Sequence, residues 1–384
     1  MSKFEVLVRK IAAVEPHPNA ERLEFAQVEG YRAVVKKGEL KVGDLVVYLP
    51  EAAVLPEFVL RVLNLWDEKT QMGLCAGEEG SRVKVLVLRG YMSQGIVYPL
   101  SYLADHPLGA GWYLQDADAA LWPVKEGDDV AGLLQVSKHV PVVPGDLSGA
   151  VMPVGRHLIP NFDVEDIKKY PRMFEEGEEV FITEKLHGIL TGAVLLPEHE
   201  AINGERFFVF GKGLGYEGLA FIDDEANKGN VYLKAAHKWD LKAKLYELAK
   251  RLGIDGVPVF MIGETFGLGV QDLGYGVKPD YRAFAIGSGY RGREQYVDYL
   301  SALEHATSLG VQWVPELYRG PFSKEILSQV ITGKETLSGK GLHIREGGVI
   351  EPKVPRTAPE IGRVALKAIS PDYLSRPGNT TEYQ

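Results

Sequence analysis

The chain has 384 residues, of which 45% are hydrophobic and 25% charged, and carries a net charge of −9. That balance suits an ordinary globular protein with room for two or three domains, and it leaves no basic tail, so any nucleic-acid binding must use a local basic groove. The single cysteine, Cys75, excludes an internal disulfide framework and a multi-cysteine zinc site; with no apolar stretch near the roughly 20 residues that span a bilayer, and no charged leader, a cytoplasmic setting is expected.

Residues 1–100 read as short β-strands broken by turns. The pattern predicts strands over Val6 to Val14, Phe25 to Val28, Arg32 to Val35, Leu45 to Tyr48, Lys84 to Leu88 and Gly95 to Leu100, with Pro16-His17-Pro18-Asn19 as a turn. Such spacing predicts a small barrel, and residues 1–140 are expected to form one domain. Proline and glycine between Pro141 and Gly155 mark a linker, and residues 155–384 are expected to form the second domain.

In that second part a strand over Val180 to Thr183 leads into Glu184-Lys185-Leu186-His187-Gly188. A lysine at a strand end, with its pKa lowered by neighbouring cations or desolvation, can attack the α-phosphate of a nucleotide and carry the nucleotidyl group. Phe207 to Phe210 then runs into Gly211-Lys212-Gly213-Leu214-Gly215, read as a flexible basic turn. Asp240 is placed to cap a helix with Leu241, Leu245, Leu248 and Leu252 on one face and Gly253 as its stop, and Tyr296 to Leu309 repeats that pattern. Glu264 lies among glycines at a strand end, Tyr281 to Ile286 is a strand carrying Phe284, Glu346 stands before a turn, and Arg363 to Ser370 is a strand containing Lys367.

Together these residues supply what nucleotidyl transfer to lysine needs. Carboxylates hold hard Mg²⁺ or Mn²⁺ and ribose hydroxyls, an aromatic ring stacks on the base, and cations neutralise the phosphates. The run Gly213 to Gly218 fits G-x-G-x-x-G, with Asp240 about 20 residues on, but no apolar helical run opens at Gly218 as dinucleotide binding requires. His187 has no partner at metal-ligand spacing, so zinc is not expected there; orienting Lys185 or a phosphate oxygen is the more useful role.

In order along the chain these segments resemble the motifs of the covalent nucleotidyltransferase superfamily. Glu184-Lys185-Leu186-His187-Gly188 resembles motif I in its K-x-H-G form, which is similar to RNA ligases. Gly263-Glu264-Thr265-Phe266-Gly267 resembles motif III, Phe284 occupies the aromatic position of motif IIIa, Arg345-Glu346-Gly347 resembles motif IV, and Ala365 to Ser370 resembles motif V through Lys367. The first half resembles the N-terminal OB-like barrel of one branch of ATP-dependent RNA ligases, including Leu88 to Gly95.

The resemblance implies an α+β fold with an OB-like β-barrel before an adenylation domain of antiparallel sheets and flanking helices. It implies ATP-dependent sealing of 3′-OH and 5′-phosphate RNA ends in nicked duplexes, with AMP carried covalently on Lys185. By the same resemblance Glu264 contacts ribose or metal, Glu346 holds metal-bound water, Lys367 meets the α-phosphate and Phe284 lies against adenine. Glu184, Leu186, His187, Gly188, Lys212 and Arg363 are further candidates for nucleotide binding. Two departures stand out: Ala285 replaces the acid often found in motif IIIa, and motif V has one lysine where two are common, leaving Arg363 as a substitute cation. A non-catalytic OB-fold RNA-binding protein, suggested by the turn His17 to Leu23, and a DNA ligase or capping guanylyltransferase are the alternatives.

Overall fold

A computed structural model describes residues 4–77, 79–100, 102, 113–115, 121–139 and 149–376. The chain divides into two compact units, one of residues 3–140 with 167–172, the other of residues 1–2, 141–166 and 173–384. The predicted linker lies partly outside the described residues, and its described end, Val151–Pro153, pairs with a strand of the second unit.

The first unit is built on β1 (Leu7–Pro16), β2 (Leu23–Val28), β3 (Tyr31–Lys36), β4 (Leu45–Leu49) and β5 (Ile96–Pro99), antiparallel in the order β5-β4-β1-β2-β3. The ten-residue β1 pairs with β4 over its first half and with β2 over its second, and the register shifts between Ile11 and Ala13 where it changes partner. That bulge bends the strand and curls the sheet toward closure. The two edges approach at Gln94 N, which donates to Arg32 O at 2.9 Å, and at Val34 N, which donates to Ser93 Oγ at 2.9 Å. The result is a nearly closed antiparallel OB-fold barrel, with Val46, Val97, Ala26, Val28, Ala33 and Ile11 buried in it. Residues 167–172 belong to the same unit: Gly30 N donates to Lys168 O at 2.9 Å, and Lys168 Nζ to Gln94 Oε1 at 2.6 Å.

The second unit begins with β6 (Val151–Pro153), β7 (Glu165–Asp166), β8 (Glu179–Lys185), β9 (Ile189–Leu195) and β10 (Phe207–Gly211). Helix α1 (Lys212–Glu217) and β11 (Leu219–Phe221) follow, then α2 (Val231–Lys238), α3 (Leu241–Leu252), β12 (Val259–Phe266) and β13 (Asp280–Ser288). After β14 (Gln295–Tyr296) come α4 (Tyr299–Ser308), β15 (Glu316–Pro321), α5 (Lys324–Ile331), β16 (Gly347–Pro352) and β17 (Leu366–Ile369). They form two sheets. One has seven antiparallel strands, β6-β11-β10-β9-β12-β13-β14; the other has five, β7-β17-β16-β8-β15, in which only β7 and β17 run parallel.

One face of the larger sheet is covered by α2, α3 and α4, where Leu241, Leu245, Leu248, Ala302 and Ala306 pack against Ala193, Met261 and Ile286. This is the stripe the leucine spacing predicts, with Asp240 accepting from Ala243 N and Gly253 ending the helix at φ 65°. Phe208, Phe210, Phe260 and Ile262 lie on the opposite face, with Phe284 packed at its margin.

Four local predictions are corrected. The basic turn at Lys212 is a short helix, so the G-x-G-x-x-G run lies inside α1 and ends at Gly218, φ 78°, and offers no loop before a helix. Tyr296 is in a strand, and the following helix starts at Tyr299 behind its Asp298 cap. Glu346 precedes a strand, not a turn. Arg363 pairs in a separate two-residue strand with Thr357–Ala358, so it does not share a strand with Lys367. Leu245 is fully buried between α3 and the large sheet, and Leu245→Ala should lower stability by about 2–5 kcal/mol. Urea denaturation measures this, and a midpoint equal to the parent's would contradict the packing described.

Candidate active site

The small sheet sets the site through its register. Lys185 on β8 lies opposite Gly347 on β16, and Thr183 lies opposite Val349, which in turn faces Lys367 on β17. Because side chains alternate along strands, Lys185, Thr183 and Lys367 share one face. Glu346 is the residue just before β16, so its carboxylate meets the Lys185 side chain, and Nζ is ion-paired with Oε1. Only 3% of the Glu346 side chain is exposed, against 27% for Lys185. Burial raises the Glu346 pKa, but Lys185 and His187 overcome it and bring the carboxyl down to about 2. Gly347 is required by this register: at φ 155°, a Cβ there would collide with Ala368 O.

The larger sheet supplies the facing wall. Leu190 on β9 lies opposite Glu264 on β12. Gly188, between β8 and β9, lets the backbones close up, since a Cβ on it would stand 2.9 Å from Glu264 Cγ and closer still to Thr265 O. Burial, reinforced by the negative charge of Glu346, pushes Glu264 up to about 8; Lys185 and Lys212 act against that rise. Lys212 Nζ lies 3.3 Å from Asp163 Oδ1. Burial works to raise Asp163, yet its pKa is lowered, with Lys212 and Lys367 among the charges that overcome it. Phe284 packs against Phe162 with ring centroids 5.0 Å apart.

His187 is 2% exposed. Its Nε2 lies 2.6 Å from Asp272 Oδ1, its Nδ1 lies 2.8 Å from the Tyr373 hydroxyl and 3.7 Å from Glu346 Oε2, and its backbone N–H donates to Tyr275 Oη at 2.7 Å. An amine, four carboxyl groups, an imidazole and two further lysines are thus gathered in one unit. That set provides a nucleophile, oxygen donors and phosphate-neutralising cations.

A family model described as RNA ligase matches residues 178–369, half of the chain. The chain belongs to the RNA ligase family. An OB-fold domain family matches residues 5–100 of this ligase. Among solved structures it is similar to a variant of Naegleria gruberi RNA ligase with ATP and Mn, at 22% identity and a TM-score of 0.73, over 97% of this chain and 98% of that one. A second variant of that protein with AMP and Mn matches at 22% identity and a TM-score of 0.72 over the same shares. The Naegleria gruberi enzyme with PPi matches at 21% identity and 0.71, again over 97% and 98%. At these identities the likeness is one of fold. No curated protein sequence matches the chain.

In this ligase the predicted residues separate into two groups. Lys185, His187, Gly188, Glu264, Glu346, Lys212 and Lys367 are tied together by the register and charge interactions above. Glu184 points to the other face of β8, where it accepts from Thr336 N at 2.9 Å and from the Thr336 hydroxyl, with Arg345 Nε 4.0 Å away. Leu186 is core, packed with Phe266, Tyr275 and Val314. Arg363 is paired with Glu351 at 2.6 Å and lies over the Tyr296 ring. Asp163, Phe162, Asp272, Tyr275 and Tyr373 escaped the sequence reading, because no motif spacing marks them.

The raised pKa of Glu264 has a consequence for stability. Between its ordinary 4.5 and about 8, the folded chain holds a proton that the unfolded chain releases, so stability falls as pH rises through that window. Glu264→Gln removes this loss. The variant should gain on the parent from pH 5 to pH 8 in denaturant titrations, with the difference closing near pH 4; parallel curves would contradict the assignment.

Proposed function

We propose that this RNA ligase seals 3′-OH and 5′-phosphate RNA ends, held as nicks in duplexes, through AMP carried on Lys185. In this reading residues 1–140 grip the duplex, residues 155–384 carry out adenylation, and the enzyme works in the reducing cytoplasm, in keeping with its single free cysteine, Cys75. The observation that carries it is Lys185 held by buried Glu346 on a face shared with Lys367, with Glu264 and Lys212 close enough to shift one another's charge.

Chemically, the neutral amine of Lys185 attacks the α-phosphorus of ATP. A P–N bond forms, the P–O bond to pyrophosphate breaks, and the amine's surplus proton leaves. AMP then passes to the RNA 5′-phosphate, restoring Lys185, and the RNA 3′-OH displaces AMP as the phosphodiester forms. Lys212 and Lys367 are suited to neutralise phosphate oxygens, and Phe284 to cover the base.

The donor set also fits a divalent cation. Burial, with the charge of Glu346 behind it, raises the Glu264 pKa, and Mg²⁺ or Mn²⁺ beside the two carboxyls would favour the ionised, ligating form of both. No group of three metal-ligating side chains occurs among the described residues. Glu346 and Glu264 would therefore hold the ion with phosphate and water completing its shell, and it would supply charge stabilisation on the phosphates. The ATP, AMP, PPi and Mn in the Naegleria gruberi RNA ligase structures support this choice of nucleotide and cation.

Incubated with labelled ATP and Mg²⁺, the parent should form a protein–AMP adduct and Lys185→Ala none; undiminished adduct in that variant would refute the assignment. On RNA substrates, a nicked duplex should be sealed faster than the same ends in single strands, and equal rates would remove the nick preference.

A further inference from the structure

A closed ring of side chains surrounds His187, and three of its members have no part in the reaction above. Asp272 Oδ1 lies 2.6 Å from His187 Nε2, and Asp272 Oδ2 meets Arg376 Nη2 at 3.2 Å. The Arg376 guanidinium lies over the Tyr373 ring, 3.7 Å from its centroid, and the Tyr373 hydroxyl returns to His187 Nδ1 at 2.8 Å. Each of the four touches two others. They come from three separate stretches: the strand-end motif, the segment between β12 and β13, and the short helix Pro371–Leu374 after β17 with the two residues that follow it.

The ring dictates how the imidazole stands. A carboxylate offers only acceptors, so the Asp272 contact requires an N–H on Nε2, while the Tyr373 hydroxyl meets the opposite edge of the ring at Nδ1. That Nδ1 edge is 3.7 Å from Glu346 Oε2, while Oε1 of the same carboxylate holds Lys185. Turning the imidazole would therefore disturb the carboxylate that positions the amine.

We propose that Asp272, Tyr373 and Arg376 are positioning residues for adenylation, clamping the His187 ring in one orientation so that Glu346 presents Lys185 to the α-phosphorus. This rests on the ligation reading above.

Two variants test it. Tyr373→Phe keeps the ring beneath Arg376 and removes only the hydroxyl; Asp272→Ala opens the circuit. Losing the hydrogen-bond partner that orients a metal-bound histidine costs about 10–100-fold, and by the same orienting logic single-turnover adduct formation at saturating ATP should slow at least about tenfold in each variant. The ATP concentration for half-maximal rate and the thermal midpoint should stay close to the parent's. In imidazole ¹⁵N–¹H spectra the Nε2–H of His187 should be protected from solvent exchange in the parent and should exchange freely in Asp272→Ala. Unchanged rates in both variants, or parent-like protection of the Nε2–H in Asp272→Ala, would overturn the proposal. So would a loss of ATP affinity and thermal midpoint at an unchanged saturated rate, which marks scaffold alone. If the parent forms no adduct, the ligation reading fails, and the spectrum still decides the clamp.

Discussion

The ion pair between Lys185 and buried Glu346 governs the arrangement of the second unit. A carboxylate that is 3% exposed must have charged or hydrogen-bonding partners to remain ionised, and the β8–β16 register delivers Lys185 to it through the backbone rather than through flexible side-chain reach. The same pair defines a resting arrangement. In the proposed adenylation the amine attacks phosphorus through its lone pair, so the pairing with Glu346 has to open first.

Glycine is what allows the two sheets to meet around that pair. Gly347 gives β16 its φ of 155° beside Ala368, and Gly188 lets the chain turn from the small sheet into β9 against Thr265 and Glu264. Lys185, Glu264 and Lys367 stand on strands with extensive pairing, which holds their spacing closely. The opposite face of β8 is devoted to stability, with Glu184 anchoring Thr336 and Ile182 packing near Ile331 across Gly348.

Much of this was legible in the sequence where a physical period or cap existed. Helix α3 follows from its leucine spacing, Asp240 and Gly253, and the strands around Lys185 and Phe284 from their apolar runs. Helix α1 was hidden because its six residues, Lys212–Glu217, include two glycines, which argue for a turn. The surroundings of His187 were unreadable for another reason. Its partners Asp272 and Tyr373 stand 85 and 186 residues away, so only the tertiary fold brings them together. Arg363 shows the limit of alternation arguments: four residues from Lys367 would share a face on one strand, but the chain leaves the extended pairing between them.

Three lysines, Lys185, Lys212 and Lys367, are drawn toward the same charge cluster, and only the one paired with Glu346 is cast as nucleophile. Peptide mapping of the protein after incubation with ATP and Mg²⁺ measures this directly. The account predicts AMP on the peptide that contains Lys185; AMP found instead on the peptide of Lys212 or Lys367 would contradict it.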